Sequence, residues 1–200
     1  AVTVPTSSQL VMSSGTLTNA VGATIESAVG VGGGRFLNGT LVNQGTLLVN
    51  QPLTLTGVGG ASTSSGTVTV NADLALNQSG GSFTNTGTVT IGTGRTWTVT
   101  GGTLNQQGTL GGAGTLSLNS ATANLTTSFT NATTGLVLAS ATVNGPGTLT
   151  NATGQTLVAQ SSTIAAALVN EGLLRLRAAI TISGGLTPTS TSTLRMEGDG

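Results

Sequence analysis

Apolar and polar residues alternate in short runs along most of the chain. In each run two apolar side chains stand two residues apart, which is the period of a β-strand. Gly, Asn or Pro bounds the runs, and these residues favour tight turns. The pattern therefore predicts many short strands joined by corners. Examples of the runs are Leu47-x-Val49, Leu53-x-Leu55, Val68-x-Val70 and Val89-x-Ile91.

The triplet Gly-Thr-Leu/Val recurs and sets a repeat. Four copies begin at Gly45, Gly66, Gly87 and Gly108, with a constant step of 21 residues. Apolar positions that keep this step are predicted to form columns inside the fold. The columns are Leu47, Val68, Val89 and Leu110; Leu55, Leu76, Trp97 and Leu118; and Leu41, Phe83, Leu104 and Leu125, with Ser62 as an exception. Asn43, Ser64, Asn85 and Gln106 follow the third column by two residues.

The step drifts after residue 110, but the phrase Leu/Phe-x-Asn returns. It recurs as Phe129-Thr-Asn131, Leu149-Thr-Asn151 and Leu168-Val-Asn170. Counting on from Asn170, Leu174 and Leu176 take the places of Leu47 and Val49. We therefore interpret the whole chain, residues 1–200, as one run of the same unit.

Constant columns favour stacked coils. A short strand cannot bury an apolar face alone, but strands of successive coils can pair in parallel at about 4.8 Å. The prediction is an all-β parallel β-solenoid (β-helix), right-handed by expectation, of about nine coils with three short strands per coil and roughly 45 Å long. An antiparallel sandwich or propeller also has short strands and Gly-rich turns. Such folds rarely keep identical columns at one step.

Composition narrows the range of partners. Charged residues make up 5% of the chain, the five Arg balance five acidic residues, and there is no Lys. No basic patch is expected for a phosphate backbone or an anionic membrane, so we expect no nucleic acid partner. No long apolar run or signal sequence is seen, so we expect no membrane insertion of this segment. Without Cys and His, thiolate and imidazole chemistry are missing, and we expect no cofactor.

Two phrases carry a family resemblance: Leu41-Val-Asn-Gln-Gly-Thr-Leu-Leu-Val and Phe83-Thr-Asn-Thr-Gly-Thr-Val-Thr-Ile. They resemble the passenger repeats of large secreted bacterial adhesins, the autotransporter and filamentous-haemagglutinin-like β-helices. The resemblance extends over most of the chain. It implies export to the bacterial cell surface, and the low cysteine content of such passengers agrees with this chain.

Parallel β-helices also include pectate-lyase-like and polygalacturonase-like enzymes, so a pair of catalytic carboxylates has to be considered. The acidic residues are Glu26, Asp73, Glu171, Glu197 and Asp199. A paired-carboxylate mechanism needs two groups within about 10 Å, and these spacings do not bring acids together on neighbouring coils. Glu197 and Asp199 are expected to form an exposed tail. We therefore predict no catalytic residue and no enzyme, and the lack of regularly repeated Asp predicts no calcium site.

Other charged residues are expected to be structural. Arg95 falls in the column of Leu53, Leu74 and Leu116, and it is expected to reach solvent from a strand edge while Trp97 fills the interior. Glu171, Arg175 and Arg177 are expected to face outward as a surface ion pair.

Outward threonines raise an alternative function. Thr67-Val-Thr69 and Thr88-Val-Thr90 stack in a way that resembles ice-binding solenoids, but Leu48 and Gly111 interrupt the outer rank. Thr is also a good strand residue. Five sequences match the glycosylation acceptor pattern, which in a chain this rich in Asn and Thr mainly reflects composition. They begin at Asn38, Asn77, Asn124, Asn131 and Asn151.

The sequence thus predicts an extracellular structural or adhesive rod, a segment of a longer repetitive protein or an open-ended subunit. A self-assembling filament subunit and a carbohydrate-binding β-helix are the alternatives. The expected partners are neighbouring coils or copies of the chain end to end, and host or surface glycans or proteins. Both ends are expected to lack caps, because Ala1–Leu17 and Thr187–Arg195 read as further strands rather than as an amphipathic helix.

Overall fold

The computed structural model of the chain describes residues 7–30, 32–57 and 59–198, and these residues form strands and turns without a helix. Successive strands stack in parallel into a solenoid of about nine coils, which confirms the predicted fold class. The strands are β1 (Ser8–Asn19), β2 (Thr24–Ser27), β3 (Arg35–Asn43), β4 (Thr46–Val49), β5 (Leu53–Thr56), β6 (Ala61–Ser64), β7 (Thr67–Val70), β8 (Leu74–Asn77), β9 (Ser82–Asn85), β10 (Thr88–Ile91), β11 (Thr96–Thr100), β12 (Thr103–Gln106), β13 (Thr109–Gly111), β14 (Thr115–Asn119), β15 (Thr122–Leu125), β16 (Phe129–Thr130), β17 (Gly135–Ala139), β18 (Thr142–Asn144), β19 (Leu149–Asn151), β20 (Thr156–Gln160), β21 (Thr163–Ile164), β22 (Leu168–Asn170), β23 (Leu173–Arg177), β24 (Thr181–Ile182), β25 (Leu186–Pro188) and β26 (Thr193–Glu197).

Each coil contributes strands to three walls. The first wall runs through β5, β8, β11, β14, β17, β20, β23 and β26, and the second through β6, β9, β12, β15, β18, β21 and β24. β1 and β3 bend from the first wall into the second and join them in one 17-stranded sheet. The third wall consists of two separate sheets, β2-β4-β7-β10-β13 and β16-β19-β22-β25.

The interior is filled by side chains that point inward from every second strand position. Leu47, Val68, Val89 and Leu110 are in register on the third wall and all are buried, so this predicted column is confirmed. The Thr residue that precedes each of them stays in contact with solvent. Burying one such aliphatic side chain stabilises the fold by roughly 1.5–3 kcal/mol. A single four-residue strand gains this energy only when coils stack.

The glycine of the Gly-Thr-Leu/Val triplet is required by a close approach between coils. A Cβ atom on Gly66 would collide with the carbonyl oxygen of Gly45, and one on Gly87 would collide with that of Gly66. The same conflict arises between Gly108 and Gly87. The glycine column therefore follows from how tightly the corner stacks, rather than from an unusual backbone conformation.

Trp97 is buried as predicted, but the column assigned to it was wrong. It pairs with Leu74 and Leu116, whereas Val99 takes the predicted place beside Leu76 and Leu118. The turn before β11 is two residues longer than the turn before β8, and the next corner is two residues shorter. The overall period of 21 residues is therefore unchanged, but the residues of β11 are shifted by two positions along the first wall. Arg95 consequently lies in the lengthened, exposed turn and not in the column of Leu53.

The third predicted column is correct as far as Leu104 and wrong at Leu125. Ala123 is in register with Leu104, and Leu125 pairs with Gln106. From β11 onward the corner between the first and second walls is tight and contains a stacked residue with positive φ, so the following strand starts earlier. In the first of these corners Gly102 has positive φ as well. The stacked residues at this corner are Gly101, Ser120, Ser140, Ser161 and Ala178.

The last copy of the repeat also lies on a different wall from the one predicted. Leu174 and Leu176 stack on Leu157 and Ala159 of the first wall and are not part of the Leu47 column. The phrase Leu-x-Asn ends second-wall strands early in the chain, as at Asn43, and third-wall strands later, as at Asn151. Because both corners use the same residues, the sequence did not distinguish them.

Two ladders of buried polar side chains mark these corners. In the first, the Nδ2 of Asn19 donates to the Oδ1 of Asn43 at 2.7 Å, and the Nδ2 of Asn43 donates to Ser64 Oγ at 3.0 Å. In the second, Asn131 donates to Asn151 at 2.8 Å and Asn151 to Asn170 at 2.7 Å. Each amide thereby gains a partner in the neighbouring coil, which offsets the cost of burying it.

Candidate functional site

The outer face of the sheet β2-β4-β7-β10-β13 carries a rank of hydroxyl groups. Thr67-x-Thr69 and Thr88-x-Thr90 are stacked in register, as predicted. They form two ranks, and Leu48 and Gly111 end the rank of Thr69 and Thr90 on either side. Only one of the two ranks is continuous over the five strands. It consists of Thr24, Thr46, Thr67, Thr88 and Thr109.

A second and longer rank lies on the outer face of the second wall. It runs over six strands from β9 to β24 and consists of Ser82, Thr103, Thr122, Thr142, Thr163 and Thr181. Sequence reasoning missed it because its steps vary after Thr103 and no longer follow the 21-residue period. The phrase Thr-x-Asn at Thr103, Thr122 and Thr142 was the signal that could have revealed it.

Asparagine side chains form an outward ladder beside this rank. The Nδ2 atom of Asn105 donates to Thr84 Oγ1 at 3.1 Å, that of Asn124 to Asn105 Oδ1 at 2.8 Å, and that of Asn144 to Asn124 Oδ1 at 3.0 Å. All donors point the same way along the rod. The ladder holds the amide planes at the coil spacing, so the second wall presents amide and hydroxyl groups in fixed positions. We call this surface, formed by Thr103, Asn105, Thr122, Asn124, Thr142 and Asn144, the Thr/Asn face.

Three of the acidic residues in the described part of the chain, Glu26, Asp73 and Glu197, serve as hydrogen-bond acceptors for neighbouring coils. Glu26 Oε1 accepts a hydrogen bond from Asn50 Nδ2 at 2.8 Å, and Asp73 Oδ1 accepts one from the backbone N–H of Thr96 at 3.0 Å. Asp199 lies outside the described residues. Within the part of the chain that the structure describes, no group of three or more acidic residues could hold a metal ion.

Glu197 does not belong to an exposed tail, which corrects the sequence prediction. It lies on β26, where its carboxylate accepts from Arg175 Nε and Nη2 at 2.9 Å and from Arg177 Nε at 2.9 Å. Arg195 Nε lies 3.2 Å from Glu197 Oε1. Hydrogen bonds from Arg177 and Arg175 hold the pKa of this carboxyl below its ordinary value. Arg175 and Arg177 do face outward, as predicted, but their partner is Glu197 and not Glu171. Sequence reasoning missed this cluster because its members lie about one coil apart.

Aromatic side chains contribute to the interior and offer little to a ligand. Trp97 and Phe83 are buried and meet edge to face, with ring centroids 5.9 Å apart. Phe129 is buried as well, and Phe36 is half-buried at the N-terminal end. None of the four aromatic residues, all of which are described, forms an exposed platform for a sugar ring.

Two of the five glycosylation-like sequences are inside the solenoid. Asn131 and Asn151 are buried members of the second inner ladder, and Asn124 is part of the outward ladder. Asn77 is exposed and Asn38 half-buried. Of the five, Asn131 and Asn151 belong to the Leu/Phe-x-Asn corners of the repeat.

An opening lies at the N-terminal end of the solenoid. A cavity of about 280 Å³ lies there between β1, β2 and β3, and its lining includes Leu10, Ile25, Phe36 and Leu37. The polar side chains of Gln9, Glu26 and Arg35 also line it. Among the described residues no helix is long and apolar enough to cross a membrane.

Comparison with known proteins gives no further identification. No family model matches the chain, and neither a curated protein nor a solved structure matches it.

Proposed function

We propose that this chain is a non-enzymatic structural and adhesive rod of an extracellular, bacterial-surface protein. The observation that carries the proposal is the Thr/Asn face, where hydroxyl and amide groups repeat at the spacing of the coils. Parallel ladders join each coil to the next along the chain, so these groups are held on a stiff support. The resemblance to adhesin passenger repeats supports the extracellular location.

A partner for such a face needs repeated hydrogen-bonding groups, which favours a neutral glycan or a polar protein surface. Each ladder amide donates one N–H to the neighbouring coil. The hydroxyl groups of Thr103, Thr122 and Thr142 lie beside these amides. Exposed aromatic rings are not part of this face, so we expect weak individual contacts that add up over several coils. The Thr-x-Thr array on the third wall covers only β7 and β10 and is too small to favour ice binding.

Two measurements test the two parts of this proposal. Small-angle scattering of the 200-residue chain should give a rod roughly 45 Å long, as expected for nine coils at the strand spacing. Glycan-array and surface-protein binding should be lost when Thr103, Thr122 and Thr142 are all changed to Val, and retained when Thr67 and Thr88 are changed to Val as the matched control. A rod that binds neither glycans nor surface proteins would contradict the adhesive role, and only the structural role of a spacer would remain.

A filament subunit is the second candidate. The large hydrophobic side chains that are exposed in the described residues lie close to the two ends: Leu10, Val11, Val21, Val29, Leu194 and Met196. Such a distribution favours contacts at the ends over contacts at the sides.

A further inference from the structure

Three of the five arginines of the chain come together at one place on the first wall. Arg175 and Arg177 project outward from β23, and Arg195 projects from the adjacent β26. The strand register places Arg175 beside Arg195 and Arg177 beside Glu197. Like charges in neighbouring strand positions repel each other unless an anion lies between them, and Glu197 occupies that position.

One carboxylate cannot satisfy three guanidinium groups. Glu197 is engaged by Nε of each arginine and by Nη2 of Arg175. The terminal Nη groups of Arg177 and Arg195 have no protein acceptor within the described part of the chain, and these side chains are 40% and 64% exposed. Among the described residues, the cluster combines three arginine charges with the single opposite charge of Glu197, which leaves a net charge of two.

Arg35 shows that this arrangement is not the rule in this chain. Its Nη1 donates to the carbonyl oxygens of Gly32 and Gly33 at 2.7 and 2.6 Å, and its Nη2 donates to that of Ala28 at 3.3 Å. That guanidinium is used to fix a loop. At the C-terminal cluster Glu197 instead holds the Nε sides of all three groups, and the Nη groups of Arg177 and Arg195 find no acceptor among the described residues.

We propose that Arg177 and Arg195, positioned by Glu197 and Arg175, form a binding site for an oxyanion carried by a partner molecule. Planar guanidinium forks suit the oxygens of sulfate, carboxylate or phosphate groups, which they bind through paired N–H donors. Glu197 fixes their orientation in advance, which reduces the cost of ordering two long side chains. The site is separate from the Thr/Asn face and does not depend on the proposed adhesive role.

Titration with inorganic sulfate at constant ionic strength tests the site, with chloride as the reference anion. The double variant Arg177→Gln with Arg195→Gln should bind sulfate about tenfold more weakly or worse, since it removes two charged donors. Arg95→Gln is the matched control, because Arg95 is exposed in a turn outside the cluster. Arg195→Lys keeps the charge but loses the fork, and it should bind with intermediate affinity.

Dextran sulfate, polygalacturonate and neutral dextran then distinguish the source of the anion. Stronger binding of dextran sulfate assigns a sulfate ester, stronger binding of polygalacturonate assigns a carboxylate, and neutral dextran should not bind through this site. Circular dichroism of each variant establishes that it is folded. Unchanged sulfate affinity in the folded double variant, or an equal loss in Arg95→Gln, would overturn the proposal.

Discussion

At the scale of single residues, the inward or outward direction of a side chain decides how much a substitution costs. Val89 is buried between Val68 and Leu110, while Thr88, one residue earlier, is exposed on the same strand. The backbone and the coil are the same for both. The two positions therefore differ only in the face of the strand that they occupy.

Val89→Asp should lower the free energy of unfolding by several kcal/mol, because it buries a carboxylate without a partner. Thr88→Asp should cost about 1 kcal/mol or less, within the range of strand propensity at an exposed site. Chemical denaturation of both variants measures the difference. Equal destabilisation would refute the assigned faces.

The glycine column gives a second prediction at this scale. Gly87→Ala should destabilise the chain by at least about 2 kcal/mol, because the added Cβ collides with the carbonyl oxygen of Gly66 and the coils must separate. Gly111→Ala is the matched control, since nothing lies within 4 Å of a Cβ at that position. Thermal unfolding compares the two variants, and a similar effect of both would contradict a steric role for the column.

At the scale of strands and corners, the polar ladders link coils in a defined direction, and one rung is incomplete. Asn85 Nδ2 donates to Gln106 Oε1 at 3.2 Å, but Asn85 Oδ1 is buried without a hydrogen-bond partner in the described structure. Ser64, which precedes it in the ladder, is a shorter residue than the asparagine found at Asn43.

Ser64→Asn should complete this rung and raise the free energy of unfolding by about 1 kcal/mol, since an unpaired buried acceptor costs roughly 1–3 kcal/mol. Ser62→Asn is the control: Ser62 is equally buried, but its Oγ already accepts from the backbone N–H of Leu41 at 3.1 Å. That variant should be destabilising because it overfills the interior. Urea denaturation measures both variants. If Ser64→Asn does not raise the free energy of unfolding, the incomplete rung has no energetic role.

The attachment of β26 should depend on pH through Glu197. Its pKa is lowered in the folded chain, so ionisation of this group stabilises the fold above the ordinary glutamate pKa, and the contribution is lost as pH falls through the lowered value. The melting temperature of the unchanged chain should exceed that of Glu197→Gln at neutral pH, and the difference should disappear in acid. Glu171→Gln is the control. A difference that stays constant with pH would contradict the ion-pair role.

The sequence predicted the period and the inward residues of each strand better than the assignment of strands to walls. Leu47 and Val89 were placed correctly because the corners between them have equal length. Trp97 was assigned to the wrong column because one corner gains two residues and the next loses two, which leaves the period unchanged. The Arg175–Glu197 contact could not be predicted either, because it requires the exact register between β23 and β26.

At the scale of the whole molecule, the two ends have matching interior columns. Leu10 on β1 and Met196 on β26 are the first and last members of one inward column, which passes through Leu55, Leu118 and Leu176. Both are exposed. If two copies meet end to end, β26 of one copy can pair with β1 of the next in the register used throughout the rod.

Cysteine substitution tests this contact, since the chain contains no Cys. Leu10→Cys combined with Met196→Cys should give disulfide-linked dimers and longer species under oxidation, because paired strand positions are close enough for a disulfide. Leu10→Cys combined with Arg195→Cys is the control, out of register by one residue. Equal cross-linking of both pairs, or a monomer at every concentration in sedimentation, would contradict end-to-end pairing.

The parallel ladders also determine how the rod would respond to a mechanical load. Each coil is hydrogen-bonded only to its neighbours. A force applied to the two ends of the polypeptide would therefore detach one coil after another, beginning at the ends. Every coil that detaches would release about 21 residues, or roughly 70 Å of extended chain. A rod built in this way would yield under tension in many small steps, and it would dissipate the pull gradually instead of transmitting it at once.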